Sequence, residues 1–383
     1  MKSQIQNQQF DFVLLILIVV ILGAGILMLG SSSFVRGSYL SDDTMHFMRN
    51  QFIFAVLGSV IMIGVSFVNY RFYKRISGYF LIFALGINYL TALVGQVRND
   101  AQRWLKVGSF SFQPSEILKI ALIFYLAATL SDEKWGEKSK GWAGILTLLL
   151  PTVASLLAVV LQKHISATII ISLICTAIMA YGGVRWYVFL TVIGGGSALL
   201  GLVVLIKPDL IEHLSARFAV YFATFMGNTS KVPEGVSEEA LSQIHNSILA
   251  IGSGGVWGLG FGKSIQKYSY LPEAYNDFIF AITAEELGFF GVLAIIIVYG
   301  LFFARGFKVA AHSGDRFGTL LSAGIMTMMA LQTILNMAVV SALIPVTGVS
   351  LPFFSYGGSA ILIILAAMGV LLNIAKQSNY PKI

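Results

Sequence analysis

Charge is what this sequence has least of. Only 11% of its 383 residues are Asp, Glu, Lys or Arg, and 57% are hydrophobic, whereas soluble domains carry about 25% charge. So apolar a chain cannot close one water-soluble core, which leaves the class of polytopic membrane proteins. Cysteine is nearly missing too. The single Cys175 lies in an apolar run, which excludes a disulfide framework or a cysteine metal site and reads as a small core hydrophobe. No small-x-small cleavage site follows the apolar run that starts at Phe10. At about twenty residues that run exceeds a signal-peptide core, so a retained first helix is expected. There is no internal repeat, low-complexity tract or soluble second domain, and residues 1–383 read as a single domain.

The charge that is present marks topology. The net charge of +7 falls mostly in short loops between apolar runs, which argues for a bilayer and against nucleic acid. Apolar runs long enough to span fall near 10–31, 51–69, 78–96, 114–131, 142–161, 165–183, 186–206, 277–303, 317–341 and 352–375. The expected fold is therefore all-α, a polytopic membrane protein with ten transmembrane helices. An even number puts both termini on one side. Loops on that side hold thirteen Lys/Arg against six in the opposite short loops, which predicts cytoplasmic termini. The connection 207–276, between the seventh and eighth spans, is then one large outer loop, too long for a plain link. Its helix formers over 237–248, with Glu238 and Glu239 at the start, predict a short interfacial helix.

Polar residues collect on the outer face. The stretch 97–113 alternates polar and apolar residues near 104–112, as a short interfacial hairpin would. Pro114 suits the first position of the following helix and Glu116 its positive start. Glu116 and Lys119 stand three apart on one helical face. Ionisable groups within a span pair or line a wet cavity. The two thus read either as a structural ion pair or as a cavity wall facing a phosphorylated lipid, with Arg103 as the anion clamp and Trp104 in the headgroup layer.

The richest stretch runs from Ser247 to Gly288. A glycine ribbon (Gly252, Gly254, Gly255, Gly258, Gly260) that includes Ser253 leads to Lys263, Lys267 and a lone acid, Asp277. The ribbon is not a dinucleotide fingerprint, since no strand precedes it. It reads either as backbone lying near a lipid headgroup or as a helix-packing surface. Asp277 reads either as a helix N-cap, a role Asn276 fills equally, or as a general base or a carboxylate holding a divalent cation. Glu285 and Glu286 lie two turns deeper and read as a structural network. Prolines, glycines and hydroxyls over 344–359, Ser355 and Tyr356 among them, predict a rigid re-entrant turn covered by protein or water.

Taken together, these motifs resemble a known family. Arg103-Trp104-Leu105, Gln113-Pro114-Ser115-Glu116-Ile117-Leu118-Lys119, Gly252-Ser253-Gly254-Gly255, Leu271-Pro272-Glu273 with Asp277-Phe278-Ile279-Phe280, Glu285-Glu286-Leu287-Gly288 and Pro345-Val346-Thr347-Gly348 through Ser355-Tyr356-Gly357-Gly358-Ser359 are similar to the SEDS proteins (shape, elongation, division and sporulation), the FtsW and RodA peptidoglycan polymerases. Phe353-Phe354-Ser355 and Leu271-Pro272-Glu273-Ala274 look more like the division or sporulation branch. The resemblance implies a ten-helix glycosyltransferase of the bacterial cytoplasmic membrane that polymerises lipid II on the outer face. It implies a class B penicillin-binding protein as partner, with Asp277 as the essential carboxylate and Arg103, Glu116 and Lys119 as charged cavity residues. Mg²⁺ or Mn²⁺ is the cofactor it allows, held by Asp277.

Two departures stand out. Where many members have Pro-Asp-(Leu/Phe)-Gly-Thr, this chain reads Lys163-His164-Ile165-Ser166-Ala167. A second outer carboxylate is missing, and His164 reads either as a substitute ligand or as a hydrogen-bonding residue. Tyr275-Asn276 replaces the commoner His-Thr ahead of Asp277. Substrate contacts are expected at Arg103, Trp104, Glu116, Lys119, Ser253, Gly254, Lys263, Lys267, Ser355 and Tyr356. Two other classes stay in view: a flippase or transporter of lipid-linked sugars, and a non-catalytic scaffold for a transpeptidase.

Overall fold

The computed structural model describes residues 10–98, 101–108, 110–135, 141–191 and 238–378, with isolated positions between 194 and 222. In chain order the elements are α1 (Phe12–Ser41), α2 (His46–Phe67), α3 (Arg71–Val94), β1 (Gln96–Arg98), β2 (Ala101–Val107), β3 (Phe110–Phe112), α4 (Pro114–Leu130), α5 (Trp142–Leu161), α6 (Ile165–Tyr181), α7 (Glu238–Gly254), α8 (Ile279–Ala311), α9 (Arg316–Val340) and α10 (Gly358–Gln377). Among the described residues, seven helices are long and apolar enough to cross a membrane. Helices α4 and α6, of 17 residues each, fall on two further expected spans. The expected span at 186–206 and the first half of the long connection lie largely outside the described residues. The chain is an all-α polytopic membrane protein.

Two helices outrun their apolar stretches. The first was expected to stop near residue 31, yet α1 continues to Ser41 and ends at Asp42 in the left-handed region, φ 51°. Its serines do not break it, because they bond back along the helix: Ser33 Oγ donates to the Leu29 carbonyl at 2.7 Å. Hydropathy marks the bilayer crossing and is blind to where a helix ends in water. Helix α8 likewise runs to Ala311.

Helix α4 is the central post. Most of its side chains are buried, and it packs against α3, α5, α6 and α9. Helix α2 lies along α10, and α8 lies between α7, α9 and α1. The surface left over is apolar, with Phe289, Ile296 and Leu301 of α8 exposed, as a lipid-facing girdle requires. Ahead of α4, β1, β2 and β3 form a small antiparallel sheet. Leu105 pairs with Phe112 and Val107 with Phe110, so the hairpin expected at 104–112 is present. Strand β1 has no counterpart in the sequence reading, because three residues carry no usable periodicity.

At the N-terminal end of α9, Asp315 caps the helix by accepting from the Gly318 amide at 2.8 Å. It also accepts from Arg71 Nε at 2.7 Å and the Tyr70 hydroxyl at 2.9 Å. Burial pushes the Asp315 carboxyl up, but these donors outweigh it and leave it below the usual range. Burial and the neighbouring carboxylate push the Tyr70 hydroxyl up to about 12. The candidate site lies at the other end of α9.

Candidate active site

The start of α4, the start of α6, the C-terminal half of α9 and the turn before α10 enclose a cavity of about 670 Å³. Arg103, Trp104, Glu116, Lys119, His164, Asp277, Ser355 and Tyr356 all line it. Residues as far apart in sequence as Arg103 and Tyr356 therefore meet in one place. The lining also includes apolar side chains from α1, α2 and α10: Leu40, Phe47, Phe54, Ala360, Ile361 and Ile364.

Of their two readings, Glu116 and Lys119 show the structural ion pair. They form a buried ion pair, Lys119 Nζ lying 2.8 Å from each Glu116 oxygen, and that pair is part of the cavity wall. Pro114 sits at the first turn of α4, as anticipated, where its missing N–H costs nothing. Its carbonyl accepts from Asn88 Nδ2 at 3.1 Å, and Gln162 Nε2 donates to the Asn88 carbonyl at 2.9 Å. Helices α3 and α5 thus fix the start of α4. Arg103, on β2, donates to the Lys163 carbonyl at 2.9 Å, which ties the sheet to the turn before α6.

Asp277 does not stand at the cap position of α8. Helix α8 starts at Ile279 and its cap position is Phe278, with no side-chain cap bond; Asn276 instead donates to Glu273 Oε2 at 2.5 Å. The Asp277 carboxylate stands beside the re-entrant turn. At Gly348, φ 68°, an added Cβ would come within 3.1 Å of Asp277 Oδ2 and 4.0 Å of Ser166 Oγ. Only glycine allows the turn to approach so closely. Ser166 Oγ in turn donates to the Thr347 carbonyl.

The turn is held from several directions. Ser355 Oγ donates to the Asn276 carbonyl at 2.7 Å and accepts from the Leu351 amide at 2.7 Å. The Tyr356 amide donates to the Tyr275 carbonyl at 3.1 Å. Gln51 of α2 completes the brace, donating to the Ser355 carbonyl and accepting from the Gly357 amide, each at 3.2 Å. The rings of Phe47, Tyr275 and Tyr356 cluster at this edge, with Phe47 centred 4.8 Å and 5.0 Å from the other two.

Four expected substrate contacts, Ser253, Gly254, Lys263 and Lys267, do not line the cavity. Ser253 and Gly254 end α7, and a Cβ at Gly254 would come within 2.2 Å of the Ala284 carbonyl oxygen. Lys263 is exposed and its amide closes a turn on the Gly260 carbonyl. Lys267 is buried, with Nζ 3.0 Å from Glu286 Oε1. Glu286 also accepts from Ser31 of α1 and from the Gly262 amide. Glu285 accepts from the Ser264 hydroxyl at 2.5 Å and the Ile265 amide at 3.0 Å. Both glutamates belong to a structural network, and Gly254 and Gly258 of the glycine ribbon pack against the backbone of α8. The loop 255–262 threads against α8 where that helix breaks at Gly288, φ 66°, and the amides of Leu259 and Gly260 donate to the carbonyls of Glu285 and Glu286. A Cβ at Gly258 would lie 2.2 Å from the Glu286 oxygen. At Gly254 and Gly258, glycine serves close approach of backbone to backbone.

Known proteins bear on this geometry. The family described as "Cell cycle protein", which covers FtsW, RodA and SpoVE, matches residues 12–380. The chain belongs to this family, the SEDS proteins. It is 36% identical over 376 residues to Stage V sporulation protein E of Bacillus subtilis (strain 168), covering 97% of this chain and 98% of the relative. It is also 36% identical, over 391 residues, to the probable peptidoglycan glycosyltransferase FtsW of the same organism, covering 98% and 93%. Among solved structures, the rod shape determining protein RodA of Thermus thermophilus superposes with a TM-score of 0.68 at 24% identity, covering 97% and 98%. A chain of a peptidoglycan synthase complex superposes at 0.73 and 23% identity, covering 96% and 97%. These two show that the SEDS fold is shared. The protein is a multi-pass protein of the bacterial cytoplasmic membrane.

Sequence reasoning missed three residues of the site. Asn336 and Gln332 of α9 and Gln51 of α2 are buried polar side chains in apolar spans. The signal was available for the first two: polar residues four apart in the run 317–341 share one helical face.

Proposed function

We propose that this protein is a peptidoglycan glycosyltransferase that polymerises lipid II on the outer face of the membrane. The observation that carries the reading is the mixed lining of the cavity. Arg103, Lys119, Glu116 and Asp277 share it with apolar side chains of α1, α2 and α10. That pairing fits an amphiphile whose sugar and pyrophosphate sit against charge while its lipid leaves along hydrocarbon. The curated relatives named probable peptidoglycan glycosyltransferase, 33–36% identical over nearly the whole chain, support the reaction class.

In this reading Asp277 accepts the proton of the acceptor sugar's 4-hydroxyl as that oxygen attacks the donor's anomeric carbon. The carbon–oxygen bond to the lipid pyrophosphate breaks, and the bonding pair leaves with the phosphate. The leaving group is good, so the protein's work is positioning and charge neutralisation. Arg103 and Lys119 serve the phosphates. Glu116 holds Lys119 at a fixed place on α4. The re-entrant turn, through Gly348 and Ser355, holds the segment that carries Asp277. The cavity wall has two Lys/Arg (Arg103, Lys119) against three carboxylates (Glu116, Glu273, Asp277), an excess of negative charge before any pyrophosphate enters. No group of three or more His, Cys, Asp or Glu among the described residues forms a closed metal site. A Mg²⁺ or Mn²⁺ held by Asp277 fits this arrangement, since such ions take one or two carboxylates and complete their shell with water and phosphate; bound there it supplies charge neutralisation at the leaving group. A class B penicillin-binding protein is the proposed partner, supported by the shared fold with a chain of a peptidoglycan synthase complex.

The test uses purified protein in liposomes with labelled lipid II and a divalent cation, with and without a class B penicillin-binding protein from the same cell. Glycan ladders from wild type, and a loss of about 10²–10⁴-fold in Asp277→Asn, are expected. Equal ladders would move the base elsewhere. Scrambling of lipid II between leaflets with no ladder in any combination would establish a flippase instead.

A further inference from the structure

We propose that Gln332 recognises a hydrogen-bond donor, an N–H or O–H, on the sugar of the lipid-linked substrate. The inference rests on the reading of the cavity as the polymerase site.

Gln332 lies in α9 and lines the cavity with Glu116, Lys119, Ser166 and Asp277. It is 2% exposed, and its Oε1 is buried with no hydrogen-bond partner. Two other buried polar side chains of α9 are satisfied at home: Thr333 Oγ1 donates to the Met329 carbonyl at 2.9 Å and Ser322 Oγ to the Gly318 carbonyl at 2.5 Å; Asn336 Oδ1 shares with Gln332 the lack of a partner. A buried amide oxygen left without a donor is costly, and such groups persist where the missing partner arrives with a ligand. Gln332 also stands in the right place. Four residues further along the same helical face, Asn336 Nδ2 donates to the carbonyls of Asp277 and Val349. Gln332 is thus one helical turn from the group that holds the candidate base.

Chemistry narrows the ligand. An acceptor oxygen gains nothing from an ionised phosphate, whose oxygens only accept; the cationic side chains Arg103 and Lys119 suit that group. The polar parts of lipid II that remain are its disaccharide, with N–H donors on acetamido groups and O–H donors on the rings, and its stem peptide; the disaccharide is the part that reacts at Asp277, so it is the part assigned to Gln332. A carboxamide oxygen buried beside the candidate base suits either kind of donor. A site built to bond such a group discriminates strongly against analogues that lack it.

The experiment measures kcat/KM for glycan synthesis by full-length protein in liposomes. Wild type and Gln332→Met, which keeps the length and removes the acceptor, are each given three probes. These are labelled lipid II, an analogue whose acetamido N–H is replaced by an ester oxygen, and one whose free sugar hydroxyls other than the attacking 4-hydroxyl are methylated. Gln332→Met is expected to lose about tenfold on lipid II and nothing further on the analogue that lacks the recognised donor. The analogue on which the difference between the two proteins disappears identifies N–H or O–H as the donor. Wild-type rates for Gln332→Met, or the same loss on all three probes, overturn the proposal. Should Gln332→Met not yield folded protein, wild type decides alone: equal use of all three probes also overturns it. A wild type that makes no glycan from lipid II overturns the polymerase reading itself, a result distinct from an active wild type indifferent to Gln332.

Discussion

Asn336 holds Asp277 by its backbone: the amide nitrogen of Asn336 donates to the Asp277 carbonyl at 2.7 Å and, with its second hydrogen, to the Val349 carbonyl at 2.6 Å. One side chain from α9 therefore sets the distance between the candidate base and the re-entrant turn beside it. Asn336→Leu removes both bonds and leaves two carbonyls unpaired. Activity is expected to fall at least tenfold through kcat, because small displacements of a positioned group are costly, with a stability loss of about 1–3 kcal/mol. Steady-state glycan synthesis and thermal melting in detergent check the two effects separately. A variant with unchanged kcat would show that the turn holds its place without Asn336.

The Glu116–Lys119 pair makes a second prediction. Its members are 8% and 2% exposed, so removing one partner strands a buried charge. Lys119→Met alone is expected to destabilise by about 3–5 kcal/mol, while the double variant Glu116→Gln, Lys119→Met recovers most of that loss. Neither regains polymerisation if Lys119 serves the pyrophosphate. Melting temperature resolves the first half and glycan ladders the second. A double variant that polymerises normally would confine the pair to a structural role.

Asp315 predicts a pH dependence. Burial raises its carboxyl, but the Gly318 amide, Arg71 and the Tyr70 hydroxyl together hold it below its ordinary value of 3.8. A depressed folded value means the network stabilises fully above that ordinary value and loses its contribution as pH falls through the lower, folded one. Melting temperature measured from about pH 7 down to about pH 3 should therefore fall less steeply for Asp315→Asn than for wild type at the acid end. The substitution should also lower stability near neutral pH, where a charged cap is replaced by a neutral one that accepts Arg71 less well. Parallel curves for the two proteins would remove Asp315 from the acid response.

Much of this protein was legible in its sequence because membrane insertion leaves a strong one-dimensional record. A lipid-facing backbone must satisfy itself within a helix, so long apolar runs become helices, and nine of the expected spans are helical among the described residues. The pairing of Glu116 with Lys119 was equally local, because three residues are less than one turn of a helix. So was the expectation that Glu285 and Glu286 form a network, since no other explanation suits two acids at that depth. The tertiary structure alone decided what the glycine ribbon is for. Gly258 looked suited to a ligand, yet the carbonyl of Glu286, 28 positions later, occupies the space its side chain would need. Lys267 looked like an anion contact, and it neutralises Glu286 instead. Asp277 read either as a cap or as a base, and only the start of α8 two residues later took it off the cap position. Glycine and lysine are permissive residues whose partners come from distant segments. Their meaning depends on what packs against them, and hydropathy along a chain carries no record of that.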